Sequence, residues 1–194
     1  MDLVYSATLL AGFWVLGQGI KYIDSAFDDK LFDQKAALLG AFICGIIMGS
    51  FIALDPFAAS VCIAIILGVA FAKKIDNIAF LIGTVLSLSI PILIARSFDA
   101  FYAIPIVPVI VLVIGGVFDE LGNDFADKGR IKNKLLVFFF QWRLTMELFA
   151  GILVFAGYLP FIYWVAFAFF DLGYHMATLY SERVKQTTSR LAKS

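Results

Sequence analysis

Histidine and cysteine, which supply many protein metal and redox sites, are almost absent from this chain. One histidine and two cysteines occur among 194 residues, so the sequence excludes a His-rich metal centre. Cys44 and Cys62 lie inside separate apolar runs, and no Cys-x-x-Cys pair occurs. The sequence therefore predicts neither a disulfide framework nor a structural zinc site.

Charged residues are also scarce, and the two signs balance. Asp, Glu, Lys and Arg make up 15% of the chain, and the formal net charge is zero. This balance argues against nucleic acid as a partner, because nucleic-acid-binding domains usually carry a basic surface. Hydrophobic residues, in contrast, make up 62% of the chain, whereas a soluble domain is about half apolar. This excess predicts an integral membrane protein.

Apolar runs of nearly the length of a membrane-spanning helix follow one another along the chain. A spanning helix needs about 20 apolar residues, and helices satisfy their own backbone hydrogen bonds in lipid. The sequence therefore predicts an all-α polytopic bundle of about seven spans. Residues 1–181 form its single domain, and residues 182–194 form a basic tail. The runs cover residues 3–20, 36–54, 57–72, 78–95, 101–118, 135–158 and 160–178.

The lysines and arginines predict how this bundle is oriented. If the loop after the first run is cytoplasmic and the loops alternate, 14 of the 15 cations lie on the cytoplasmic side and only Arg96 lies outside. The positive-inside rule then places the N-terminus outside and the C-terminal tail in the cytoplasm. We therefore expect a multi-pass protein of the cell membrane whose acidic loops face the cytoplasm. The sequence indicates no oligomeric state.

Two clusters of carboxylates lie on this cytoplasmic side. Asp24 and Asp28 follow the first run and are four residues apart, so on a helix they share one face. Two carboxylates on one face suit Mg²⁺, which prefers oxygen ligands and leaves positions open for phosphate oxygens. The alternative for each cluster is a solvated helix end or loop. The members of the second cluster, which follows the fifth run, are Asp119, Glu120, Asp124 and Asp127.

These clusters, four spans apart, resemble the two Asp-rich motifs of the UbiA superfamily of intramembrane prenyltransferases. The first family motif is NDxxDxxxD. Asp24 and Asp28 match its last two aspartates, whereas Ile20 and Lys21 occupy the Asn-Asp positions. The second family motif is a spaced set of aspartates after the sixth helix. The register agrees if this chain lacks the first and last helices of the family. The residues that resemble the second motif, with irregular spacing, are Asp119, Asp124 and Asp127.

The resemblance implies an all-helical fold, Mg²⁺ as cofactor, and an isoprenyl diphosphate or related membrane lipid as substrate. Lys73 and Lys74 stand where the family has a basic segment, at the end of its fourth helix. The implied catalytic residues are Asp24, Asp28, Asp119, Asp124 and Asp127. The implied metal ligands are Asp24, Asp28, Asp124 and Asp127. The implied substrate-binding cations are Lys73, Lys74, Lys128, Arg130 and Arg143.

Ionisable residues in the last two runs favour other functions. Arg143 and Glu147 are four apart in one run, and Asp171 and His175 are four apart in the next. Counting from a turn near Leu159 places Glu147 with Asp171, and Arg143 with His175, at matched depths of roughly 18 and 24 Å. Ionisable groups inside a membrane are costly and often functional. The alternatives are therefore a small transporter or channel that uses this buried polar cluster, or a non-catalytic membrane protein in which the cluster locks the hairpin.

Overall fold

The computed structural model describes residues 2–73, 75–98, 103–142 and 144–191, with the backbone alone for residues 96–98 and 127. These described residues form helices and no strand, which confirms the all-α prediction. The helices are α1 (Leu3–Phe27), α2 (Gln34–Leu54), α3 (Pro56–Phe71), α4 (Ile78–Phe98), α5 (Ile106–Asp127), α6 (Lys134–Gln141), α7 (Leu144–Phe155) and α8 (Phe161–Leu191).

Four of these helices, α1, α2, α4 and α5, are long and apolar enough to cross a membrane. The apolar helices indicate a membrane-embedded protein. α6 and α7 reach the same length and apolarity only together, and their axes are bent by 75° from one another. The helix α3 is apolar but has only 16 residues. Seven spans, and the orientation of the bundle in the membrane, therefore stay predictions.

Short polar residues begin several helices, and residues in the left-handed backbone conformation end others. The Asp33 carboxylate accepts a hydrogen bond from a backbone amide of the first turn of α2, and Asp55 does the same for α3. Pro56 then occupies the first helical position of α3, where its missing N–H leaves no hydrogen bond unmade. At the other end of α3, Lys73 adopts φ 57°, and Gly129 adopts φ 66° after α5. Both residues turn the chain out of the helix.

The helices α1, α2, α3, α5, α7 and α8 pack in that order into a closed ring, and α4 packs against α2. Glycines allow the closest approaches. A Cβ atom on Gly17 of α1 would collide with the backbone of Phe170 in α8, and further along both helices the hydroxyls of Ser25 and Ser181 are 3.0 Å apart. The helices α1 and α8 are therefore parallel neighbours, although they lie at opposite ends of the sequence.

This arrangement brings the cations whose side chains are described to one end of the bundle. We call it the basic end. The helices α1, α3 and α5 finish there, and α8 continues beyond it to Leu191 without a break at the predicted boundary after residue 181. At the opposite end α1 begins and α2 connects to α3. The described cations of the basic end are Lys21, Lys30, Lys35, Lys73, Lys128, Arg130, Lys132, Lys134, Arg183, Lys185 and Arg190.

Candidate functional site

The ring encloses a cavity of about 60 Å³, which we call the chamber. The helices α1, α3, α5, α7 and α8 all contribute to its lining. Most of the lining is apolar, and it includes Ile20 of α1 and Phe170 of α8. Its polar members are Asp119, Glu120, Asp171 and Tyr174. The chamber therefore combines the second acidic cluster of the sequence with a carboxylate from the last apolar run.

Asp119, which the resemblance implies is catalytic, caps the N-terminus of a neighbouring helix with its side chain. Its two carboxylate oxygens accept hydrogen bonds from the backbone amides of Thr145 (2.9 Å) and Met146 (2.8 Å), at the start of α7. The side chain is only 3% exposed. Because the first amides of a helix have no partner within the helix, a carboxylate at this position stabilises the helix end. Asp119 thus joins α5 to α7 beside the chamber.

Glu120 and Asp171 bring carboxyl groups from two helices to the same chamber. Glu120 lies on α5 and is 6% exposed, while Asp171 lies on α8 and is half-buried. The sequence patterns had assigned these two residues to separate clusters. The closed ring joins them, because α7 and α8 lie between α5 and α1.

The other residues of the predicted buried polar cluster lie around the α7–α8 hairpin. Glu147 accepts a hydrogen bond from the indole of Trp164, and its carboxylate is close enough to Asp119 for the two charges to interact. The His175 ring lies 4.1 Å from the ring of Trp142, measured between centroids. Arg143 lies outside the described residues, so its predicted position beside His175 stays a prediction.

The first acidic cluster lies at the basic end of α1. Asp24 forms an ion pair with Lys21, with 2.6 Å between Oδ2 and Nζ. Asp28 is the C-cap of the helix. Partial desolvation raises the pKa of Asp28 to about 6, and the Asp24 carboxylate adds to this rise through its charge and a hydrogen bond. The charge of Asp76, which follows α3, raises the pKa further. Two carboxylates, one on α1 and one after α3, therefore act on Asp28 at this end.

Asp124 and the neighbouring cations lie at the basic end of α5. Asp124 accepts a hydrogen bond of 3.2 Å from the exposed Lys128, and the Arg130 guanidinium lies 5.6 Å from the centre of the Phe125 ring. Such exposed pairs contribute little to stability, so the carboxylate can exchange its partner for another cation. Lys73 is exposed at the end of α3. Lys74 and the side chain of Asp127 lie outside the described part of the chain.

The acidic residues of α1 and α5 continue the faces that line the chamber. Ile20 and Glu120 belong to the lining, and Asp24 and Asp124 follow them by four residues, one helical turn or about 6 Å further on. In the described ranges, no group of three His, Cys, Asp or Glu side chains has the geometry to hold a metal ion. Mg²⁺ commonly binds through one or two carboxylates together with substrate phosphates. Magnesium binding at this end therefore stays a prediction.

The sequence patterns missed Asp55, which forms the main polar contact at the opposite end. Its Oδ1 accepts hydrogen bonds from the amides of Phe57 (2.9 Å) and Ala58 (2.7 Å). Its Oδ2 accepts hydrogen bonds from the hydroxyls of Tyr5 (2.8 Å) and Tyr163 (2.6 Å). An Asp-Pro pair before an apolar run is a recognisable helix start, but nothing local to the sequence indicates the two tyrosines.

No protein-family model, curated protein or solved structure matches this chain.

Proposed function

We propose that the protein is a membrane-embedded, Mg²⁺-dependent transferase that moves an isoprenyl or related lipid chain from a diphosphate. The observation that carries this proposal is the position of Asp24 and Asp124. Each continues the chamber-lining face of its helix by one turn towards the basic end. An apolar chamber with carboxylates and cations at its mouth suits an amphipathic substrate, whose diphosphate remains at the membrane surface while its chain enters the bundle.

The acidic and basic side chains of this end have different roles in the proposal. The carboxylates of Asp24 and Asp124, together with Asp28 and Asp127, hold Mg²⁺ against the diphosphate oxygens. The ion supplies Lewis-acid neutralisation of the charge on the leaving group. The cations Lys73, Lys74, Lys128, Arg130 and Arg143 bind the same oxygens through charge-assisted hydrogen bonds.

The chamber must widen to receive such a chain. Its volume of about 60 Å³ is well below the roughly 300–1,000 Å³ of typical small-molecule sites. At the chamber, α3 and α5 face each other through Gly68 and Gly116, and a Cβ on Gly68 would still be 3.7 Å from the Gly116 Cα. These two residues place no side chain between the helices, so a small separation at this point opens space beside the chamber.

A binding measurement tests the proposal. Purified protein in nanodiscs is titrated with radiolabelled geranylgeranyl diphosphate, with and without millimolar Mg²⁺. Asp24→Asn and Asp124→Asn should each weaken Mg²⁺-dependent binding by at least about tenfold. Loss of an outer-shell partner of a metal ligand already lowers metal affinity by about tenfold or more, and loss of a ligand should cost at least as much. Asp29→Asn is the matched control. Asp29 is an exposed carboxylate of the same end that pairs with Lys185 at 3.0 Å, and its variant should bind as the wild type does.

Two outcomes would contradict this function. One is the absence of Mg²⁺-dependent binding by the wild-type protein. The other is an equal loss of affinity in Asp29→Asn and Asp124→Asn, which would indicate a general effect of charge at the basic end. All three positions are half-buried or exposed, so the variants should fold, and thermal unfolding in the same nanodiscs verifies this.

A cation or proton transporter is the second candidate, and the chamber itself favours it. Carboxylates of α5 and α8 line one mostly apolar cavity, and buried carboxylates are common in ion pathways. A cavity of about 60 Å³ has room for about two waters at roughly 30 Å³ each. In proteoliposomes, Glu147→Gln and Asp171→Asn should then abolish ion-dependent flux, while Asp124→Asn retains it. Loss of diphosphate binding in Asp124→Asn, without any flux in the wild type, would refute this candidate.

A further inference from the structure

The short helix α6 lies across the bundle rather than along it. Its axis is bent by 75° from that of α7. The helix α7 packs antiparallel to α5, because Gly115 lies against Phe149 while Asp119, further along α5, bonds to the earlier Thr145. Since α5 is long and apolar enough to cross a membrane, α6 lies close to the membrane plane. Seven residues of this helix span about 10 Å, of which only about 3 Å is along the α7 axis.

The faces of α6 differ in what they contact. None of its residues is buried. Phe140 points to α5, where its ring fills the space that a Cβ on Gly122 would need. Leu135, Phe138 and Trp142 are spaced by three and four residues and lie on another face. They are 78%, 51% and 45% exposed. This second face is an apolar stripe that leads away from α5.

Cations without accompanying acids precede this stripe. Arg130, Lys132 and Lys134 are exposed, and residues 128–142 contain no Asp or Glu. The aromatic Trp142 follows at the end of α6, with its ring against His175 of α8. An exposed apolar stripe beside a basic segment is the pattern of helices that lie in a membrane interface, and tryptophan is enriched at that depth.

We infer that α6 is an in-plane interfacial helix that binds the anionic headgroups of phospholipids at the basic end of the bundle. Leu135, Phe138 and Trp142 enter the boundary between headgroups and acyl chains. Arg130, Lys132 and Lys134 pair with the lipid phosphates above them. Charge complementarity selects this occupant, because a basic segment beside a membrane attracts anionic lipid. The inference shares Arg130 with the transferase proposal, but it involves none of the acidic residues, and Lys132 and Lys134 belong to it alone.

The first test measures the depth of α6 in the bilayer. Nitroxide labels are attached to Leu135→Cys and, separately, to Trp142→Cys in proteoliposomes, and their depths are obtained from collisions with oxygen and with a nickel chelate. The native Cys44 and Cys62 are buried, so the unmodified chain is the control for background labelling. The two depths should agree within about 3 Å. In a helix that crosses the membrane, they would differ by about 10 Å, and this result would overturn the inference.

Labels on α5 provide the matched control for depth. Ile110 and Ile114 are 53% and 45% exposed and lie four residues apart on a helix that is long enough to span. Their labels should differ in depth by about 6 Å. If the α5 labels differ in depth and the α6 labels do not, the measurement distinguishes a membrane-crossing helix from one that lies in the membrane plane.

The second test measures lipid selectivity. Electron paramagnetic resonance compares the motionally restricted fraction of spin-labelled phosphatidylglycerol with that of spin-labelled phosphatidylcholine around the reconstituted full chain. The wild type should prefer phosphatidylglycerol at least twofold, and the combined variant Arg130→Gln, Lys132→Gln and Lys134→Gln should lose most of this preference. The control variant Arg183→Gln with Arg190→Gln removes two exposed cations of the same end and should keep it.

Three results would overturn the lipid assignment. They are equal selectivity in the wild type and the combined variant, equal losses in the combined and control variants, and full displacement of phosphatidylglycerol by inorganic phosphate. The last would show a site for a free anion. High salt should reduce the preference in the wild type, because exposed charges are screened.

Discussion

Removing the Asp55 carboxylate should strongly destabilise the bundle at its non-basic end. This side chain is 9% exposed and accepts hydrogen bonds from two amides of α3 and from the hydroxyls of Tyr5 and Tyr163. It therefore joins α1, α3 and α8 through one group. Asp55→Ala removes all four hydrogen bonds and leaves the hydroxyl of the buried Tyr163 without this acceptor.

The expected loss follows from these contacts. The lost N-cap costs about 1 kcal/mol, and each hydrogen bond from a tyrosine to a charged group contributes roughly 1.5–3 kcal/mol. Tyr5 is half-buried, so water replaces part of its bond, whereas Tyr163 is 2% exposed. Asp55→Ala should lower the free energy of unfolding by about 4 kcal/mol, and Tyr163→Phe by about 2 kcal/mol. Asp55→Asn should lower the free energy of unfolding by less than Asp55→Ala does, because its amide oxygen keeps the helix cap.

Reversible unfolding by SDS in mixed micelles, followed by far-UV circular dichroism, measures these losses. The double variant of Asp55→Ala with Tyr163→Phe should be about 2 kcal/mol more stable than the sum of the single losses predicts, since both remove the same bond. A loss below about 1 kcal/mol for Asp55→Ala would refute the reasoning. So would strictly additive effects, because the two side chains would then be independent.

Three further predictions concern the basic end and the helix contacts. Asp119→Ala should destabilise by about 3 kcal/mol because two buried amides lose their acceptor, and SDS unfolding checks this. Gly17→Ala should also destabilise, because its Cβ would meet the backbone of α8. Gly40→Ala in α2, which meets nothing within 4 Å, should be neutral or stabilising by up to about 1 kcal/mol. The Asp28 carboxyl should titrate near pH 6 by NMR, and Asp24→Asn should lower that midpoint. Because the folded pKa is raised, stability should fall as pH rises from about 4 to 6.

Local sequence patterns predicted that α1 and α5 extend beyond their apolar runs, but they did not predict the bend between α6 and α7. The spacing of the acids placed Asp24 and Asp124 on helices that continue beyond the first and fifth apolar runs, and α1 and α5 do extend to Phe27 and Asp127. The run 135–158 was predicted as one span, whereas the chain bends by 75° between α6 and α7. Apolar length alone does not detect a change of direction. The polar interruption Gln141–Arg143 was the available signal.

The candidate site depended on helix neighbours, which apolar runs do not specify. The pattern along α5 singled out Asp119 as an acid, but its role as the cap of α7 depends on Thr145 and Met146 arriving 26 and 27 residues later. Glu120 and Asp171 share a chamber because the ring closes between α8 and α1. The ring closes where the backbones of α1 and α8 approach each other at Gly17. The chain has 15 glycines, and nothing in the sequence around Gly17 identifies α8 as its neighbour.

By itself, the sequence determined that this protein is all-helical and that several of its helices are apolar enough for a membrane. These properties depend on composition and on residues within one helical turn of each other. Only the tertiary structure decided that α1 and α8 are parallel neighbours, that carboxylates of α5 and α8 line one chamber, and that α6 lies across the bundle. The physical reason is that these contacts form between residues far apart in the chain, where close packing of complementary helix faces selects the partner.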